Sequence, residues 1–150
     1  MKRIKNRQNG VTLMELLAVI AVLGILATVG AGILRAHRPA IALYVEARQL
    51  RQTLEEAGSR TIAEQQNYGV RLLEEAGVWE LVLEDSGITV LSEHALSAGI
   101  SYEVVPAFQN NIARFNTAGA ASESGTIVLV NTDGETRSIV INPSGYVHTD

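Results

Sequence analysis

From Leu16 to Leu34 the chain runs for 19 residues without a charged side chain. At ~1.5 Å per residue such a run makes a helix roughly 28 Å long, which fits a hydrocarbon layer about 30 Å thick. A 150-residue chain that commits this segment to lipid retains about 100–110 residues for everything else, enough for one small domain. Lys2, Arg3, Lys5 and Arg7 precede the run with no acid among them, and they hold the N-terminus on the cytoplasmic side. Arg35, His37 and Arg38 follow it, directly ahead of a domain, and large domains translocate largely regardless of such charges. The expected orientation is therefore N-terminus in and C-terminus out. A secretory signal peptide would have a shorter apolar core and a small-x-small cut before the domain, and neither is present. A plain signal anchor explains the hydropathy but leaves Glu15 unexplained.

Glu15 stands at the leading edge of the run. A carboxylate costs about 2.5–3.5 kcal/mol at the centre of a membrane helix and less near its end, and such groups usually have a partner. A cut between Gly10 and Val11 would create an α-amino group one helical turn before Glu15, and that amine is largely cationic at neutral pH. It can pair with Glu15 of its own chain or of a neighbour packed in parallel. In the second case burial of a charge becomes a rule of assembly.

The basic leader, Gly10-Val11-Thr12-Leu13-Met14-Glu15 and the apolar helix together resemble the class III signal of type IV pilins and type II secretion pseudopilins. The resemblance implies that a prepilin peptidase cuts after Gly10 and methylates Val11, and that Glu15 is the carboxylate that guides assembly. The family's first mature residue is usually Phe or Met, and Val11 departs from that pattern. The resemblance further implies parallel packing with other pilins or pseudopilins through the N-terminal helices, an inner-membrane assembly platform as partner, and contact with membrane lipid.

Gly24, Thr28 and Gly32 recur every four residues on one helical face, the small-xxx-small spacing that lets helices approach in lipid. The commonness of Gly and Ala in membrane helices explains the same residues equally well. Gly30 and Gly32 each weaken the helix by ~1 kcal/mol relative to Ala, so the stretch is a candidate for partial unwinding on leaving the bilayer. Pro39 should bend the path or begin a new helical segment. Beyond it Leu43, Ala47, Leu50, Leu54 and Ala57 form one apolar stripe, with Glu46, Arg48, Arg51, Gln52, Glu55 and Glu56 on the other faces. Gly58-Ser59 is a plausible stop, although residues 61–66 could add a turn. A continuous helix over residues 11–57 would be roughly 70 Å long.

After Asn67 the period changes to two. Strands are expected over residues 68–74 and 78–84 around a Glu75-Ala76-Gly77 turn, then over 87–91, 100–105 and 112–115. A Gly/Ala/Ser loop, read as mobile, covers 117–125. Strands 126–131 and 135–141 flank Thr132-Asp133-Gly134, a strong hairpin signal, and a last strand, 146–148, follows the turn Asn142-Pro143-Ser144-Gly145. The expected fold is thus α+β and pilin-like: a long N-terminal helix, transmembrane in its first half and amphipathic in its second, packed on a small antiparallel β-sandwich or bent sheet. The expected organisation is a leader at 1–10, a transmembrane helix at 11–38, its amphipathic continuation at 39–66 and a periplasmic β domain at 67–150. The segments Arg114-Phe115-Asn116…Gly119, 125–130, 137–141 and Gly145-Tyr146-Val147 also resemble the tail of the GspH/FimT minor pseudopilins.

No catalytic, metal or cofactor constellation stands out. His37, His94 and His148 lack metal-ligand spacing and read as ordinary surface or membrane-edge residues. Ser122 and Ser124 have no placed base, and Trp79 reads as packing. Glu55-Glu56, Glu74-Glu75 and Glu84-Asp85 read as solvated faces, and the absence of cysteine excludes disulfides and thiolate sites. The absence of cysteine also sets the chain apart from major type IV pilins, which usually carry a disulfide loop. Asp133, Glu135 and Asp150 are too scattered for the calcium ligands of a major pseudopilin. The overall charge is −4, yet the part after Gly10 carries 8 arginines against 16 acids, a poor match for nucleic acid. The first expectation is a non-enzymatic minor pseudopilin near the tip of a type II secretion pseudopilus at the bacterial inner membrane. The second is a FimT-type minor pilin of a type IV pilus, and the third a periplasmic binding domain that never polymerises.

Overall fold

The computed structural model describes residues 12–150, without the side chains of residues 29–37. The cut at Gly10 and the terminus at Val11 therefore lie outside the described residues. The chain divides into two units, Met1–His37 and Arg38–Asp150.

Helix α1 is one element, Leu13–Glu64, with Pro39 inside it. Pro39 therefore starts no separate helix, although its missing N–H and its ring typically cost an interior helix position ~3 kcal/mol. In the first unit the apolar side chains are exposed all round: Leu17, Val19, Ile20, Val22, Leu23, Ile25 and Leu26 each expose 52–65 % of their surface. A helix apolar on every side needs lipid or other helices around it. Among the described residues no helix is long and apolar enough to cross a membrane. Of the charge-free run Leu16–Leu34, the described side chains include only residues 16–28.

In the second unit α1 buries Leu43, Ala47, Leu50, Leu54 and Ala57, the stripe read from the 3.6 period. The helix does not stop at Gly58. A Cβ there would lie 3.4 Å from Cδ1 of Phe115, so this glycine makes room for an aromatic ring from the β domain. The last helical residue is Glu64, followed by Gln65 in the left-handed region at φ 54°. Thr61 joins the two elements: its hydroxyl donates to the Ala57 carbonyl at 2.9 Å and accepts from the Tyr68 N–H at 3.1 Å.

Eight strands follow: β1 Asn67–Leu73, β2 Val78–Glu84, β3 Ile88–Ala95, β4 Ile100–Val104, β5 Ile112–Arg114, β6 Gly125–Asn131, β7 Thr136–Ile141 and β8 Val147–Thr149. They make two four-stranded antiparallel sheets, ordered β3-β2-β1-β5 and β4-β6-β7-β8. The alternating residues Tyr68, Val70 and Leu72 face the same side as their partners Leu81 and Trp79 and enter one core with Ile127, Leu129, Ile139, Ile141 and the α1 stripe. The hairpin at Asp133-Gly134 is as expected. The Asn131 carboxamide oxygen accepts from Asp133 and Glu135 N–H groups at 3.0 and 2.9 Å, and Gly134 takes φ 79°.

The Gly/Ala/Ser segment read as a mobile loop is hydrogen-bonded from Asn116 to Ser122. Asn116 accepts at Oδ1 from the N–H groups of Ala118 and Ala120, both at 3.0 Å, and Ser122 N–H donates to the Arg114 carbonyl at 2.9 Å. Phe115 and Ala121 form a β-bridge across it. A single Asx side chain thus supplies the order that glycine content argued against.

Candidate functional site

Of the residues singled out for assembly, Glu15 lies in the first turn of α1 and is exposed. The helix starts where it does because Thr12 caps it. The Glu15 N–H donates to the Thr12 carbonyl at 3.1 Å and to its hydroxyl at 3.3 Å. Thr12-Leu13-Met14-Glu15 has the residue types of a capping box, and an acid in the first turn is favoured by the helix dipole. Among the described residues the Glu15 carboxylate is in no ion pair. Gly24 and Thr28 are both exposed. A Cβ at Gly24 would meet nothing within 4 Å, and the Thr28 hydroxyl is turned back onto the Ile25 carbonyl at 2.7 Å. Gly32 falls among the residues whose side chains are not described.

Two histidine and glutamate readings change. Glu46, expected on an outer face of the helix, is 2 % exposed. Its carboxylate accepts from the Ser97 backbone N–H at 3.1 Å and from the Ser97 hydroxyl, and it meets His94 Nε2 at 3.0 Å. His94, expected as an ordinary surface residue, stacks on Trp79 with ring centroids 4.2 Å apart. Ser, His and Glu thus converge, but the carboxylate stands between the other two and consumes both. Without a bond from Ser97 to His94 this is no nucleophile–base pair. It is a staple tying α1 to β3 and to the segment after it. Burial, and secondarily the nearby Glu46 carboxylate, raises the Tyr102 phenol above its ordinary value of 10.0. The neutral phenol's contribution to stability is therefore complete below that pH and is lost as alkali ionises it in the folded state. Replacing Glu46 with Ala is expected to destabilise the domain by about 2–3 kcal/mol, measured by chemical denaturation of the full chain in detergent, with Glu46→Gln losing less.

Two further ion pairs lie on the first sheet. Arg71 lies directly across from Glu80 in the β1–β2 register and pairs with it. Arg114 grips Glu84 through Nε and Nη2, the latter at 2.8 Å. Glu84 is therefore not simply solvated, and two of the three arginines beyond residue 70 are neutralised by partners. No group of metal-ligating side chains is present among the described residues.

The tail segments meet at one place. Gly119 and Gly145 both take positive φ, 86° and 84°, and a Cβ on Gly145 would fall 1.8 Å from the Gly119 carbonyl oxygen. The loop after β5 and the turn before β8 are thus in backbone contact, which only glycine at residue 145 permits. The family profile described as "Type II transport protein GspH" matches residues 46–145, the span that ends on this contact. The chain belongs to the GspH family. A second profile, the prokaryotic N-terminal methylation motif, matches residues 5–31, around Gly10, Val11 and Glu15.

Solved structures share the pilin-like α+β fold of this GspH-family chain. The minor pseudopilin EpsH from the type 2 secretion system of Vibrio cholerae has a TM-score of 0.60 at 16% identity, covering 72% of this chain and 95% of that one. The type IV minor pilin FimU of Pseudomonas aeruginosa has a TM-score of 0.61 at 18% identity, covering 72% and 87%. At these identities the likeness is one of fold. No curated protein matches the chain significantly. The chain thus joins GspH-family membership and an N-terminal methylation motif to the fold of these minor pseudopilin and minor pilin structures.

Proposed function

We propose that this chain is a minor pseudopilin of a type II secretion system, a low-copy subunit at or near the tip of a periplasmic pseudopilus that supports protein export. The observation that carries this reading is the joint occurrence of the GspH match over residues 46–145 and the methylation motif over residues 5–31. In this reading the prepilin peptidase cuts after Gly10, Val11 becomes the methylated terminus, and Glu15 meets the terminal amine of a neighbouring subunit. Residues 11–38 span the inner membrane, with the β domain in the periplasm. Gly24, Thr28 and Gly32 form the face along which helices approach. In this reading the work is mechanical, and the energy for extrusion comes from a cytoplasmic ATPase elsewhere.

The structural likeness to FimU supports a second reading, a minor pilin of a type IV pilus. Deleting the gene and measuring exoprotein release beside twitching and transformation separates the two. Loss of release with motility and transformation intact is the expected result; the reverse pattern would establish the pilus reading. Processing has its own test. Gly10→Ser is expected to leave the leader attached and the terminus unmethylated, and a shortened, methylated Gly10→Ser chain would refute the prepilin reading.

A further inference from the structure

The unit Arg38–Asp150 carries seven arginines against fifteen acids. Three of the seven are held in close ion pairs: Arg60 with Glu56, Arg71 with Glu80 and Arg114 with Glu84. Arg48 and Arg137 meet no carboxylate among the described residues, and they line the same cleft. It lies between α1 and the β7–β8 edge and has a volume of about 460 Å³. Arg51, one helical turn from Arg48, adds a third guanidinium whose own partner, Glu55, is 3.7 Å away. Tyr44 and Thr149 bring hydroxyl groups. Asp150 is the one acid lining the cleft, and it pairs with His148 at 3.7 Å. Arg48 and Arg137, which lack carboxylate partners among the described residues, are thus brought from two elements far apart in sequence into one concave site on an otherwise acidic body, while Arg38 lies outside it.

We propose that this cleft binds carboxylates, and that its occupant is an acidic segment of a neighbouring filament subunit. The identity of the occupant as a fellow subunit rests on the assembly reading above. Guanidinium groups favour carboxylate and phosphate through paired N–H donors. Charge decides between an acidic protein segment and a nucleic acid. A duplex extends well beyond one cleft and would lie against the surrounding negative surface, whereas a short acidic segment places its charge only where the arginines are. Subunits of like net charge that pack side by side also need local positive sites to offset their mutual repulsion, and this cleft is one.

The test uses the full chain in detergent micelles, titrated with a fluorescent glutamate-only peptide, with inorganic phosphate as competitor and with a short DNA duplex in parallel. The wild-type chain is expected to bind the peptide in a salt-sensitive manner. The double substitution Arg48→Ala, Arg137→Ala weakens that binding about tenfold or more, and Arg60→Ala leaves it unchanged. Arg48 and Arg137 are exposed, and an unaltered thermal transition confirms that the double variant is folded. Equal peptide binding by the wild type and the double variant, no peptide binding at all, tight binding of phosphate with no competition from peptide, or preference for the duplex over the peptide would each overturn the proposal. In cells the double variant is expected to be inserted and to lose its leader normally, yet to enter filaments poorly. Normal entry overturns the neighbouring-subunit assignment, whereas a failure of leader processing in the wild type would instead strike the assembly reading.

Discussion

Gly145→Ala is expected to destabilise the β domain by about 3 kcal/mol or more, a large share of the about 5–15 kcal/mol by which a domain of this size is stable. Two costs combine. The backbone at Gly145 has φ 84°, a conformation that strains any residue with a Cβ. The added Cβ would also lie 1.8 Å from the Gly119 carbonyl oxygen and 2.9 Å from its carbonyl carbon. The Gly119 backbone cannot easily retreat. Its own N–H donates to the Asn116 carbonyl at 2.7 Å, and the Asn116 carboxamide holds the next residue, Ala120, at 3.0 Å. Gly134→Ala provides the internal comparison. That glycine has φ 79° but open space around the would-be Cβ, so it carries the strain without the collision and should cost only about 1–2 kcal/mol. Denaturation midpoints of the two variants check the account; equal losses would mean that the backbone contact between residues 119 and 145 is not what the glycine serves.

The second large effect is on assembly. Glu15→Ala is expected to insert into the membrane as well as the wild type, since it removes a charge from the leading edge of an apolar run. Entry into filaments is expected to fall by about an order of magnitude or more, because a buried amine then lacks its counter-charge. The cap makes this variant informative. Thr12 bonds the backbone N–H at residue 15, at 3.3 Å, and alanine retains that donor. The helix start therefore survives the substitution, with only the acid's favourable effect on the dipole lost, about 0.3–1 kcal/mol. Thr12→Ala does the converse, removing the cap while keeping the carboxylate. Copurification with filaments should fall sharply for the first and little for the second. Comparable losses in both would assign Glu15 to helix initiation rather than to pairing between subunits.

The contrast between what the sequence discloses and what it hides follows from where partners lie. The stripe from Leu43 to Ala57 is legible because its residues are each other's neighbours on a helix of fixed period, and all five are buried. The β1–β2 and β6–β7 hairpins are legible because short turns fix their registers, which also places Arg71 against Glu80. Glu46 is hidden. Within the helix it is a polar residue between stripe positions, and its partners His94 and Ser97 lie 48 and 51 residues away. The grip of Arg114 on Glu84 spans 30 residues and leaves no local trace. Gly58 looks like a helix stop because glycine usually is one, but the ring of Phe115, which decides otherwise, comes from another element. The segment after Phe115 looks mobile by composition, and one asparagine side chain orders it. Around Glu15 the residue types and spacing are legible in the sequence, whereas the bond from the Glu15 N–H to the Thr12 hydroxyl is visible only in the geometry.

Everything in the functional account depends on a new cationic terminus being made just ahead of Glu15. Intact-mass spectrometry of the protein extracted from membranes of cells with an active prepilin peptidase tests this directly. The expected species begins at Val11 and carries one methyl group on its amine. A species that retains the segment from Met1 to Gly10 in those cells would show that no such terminus forms, and that Glu15 has some other purpose.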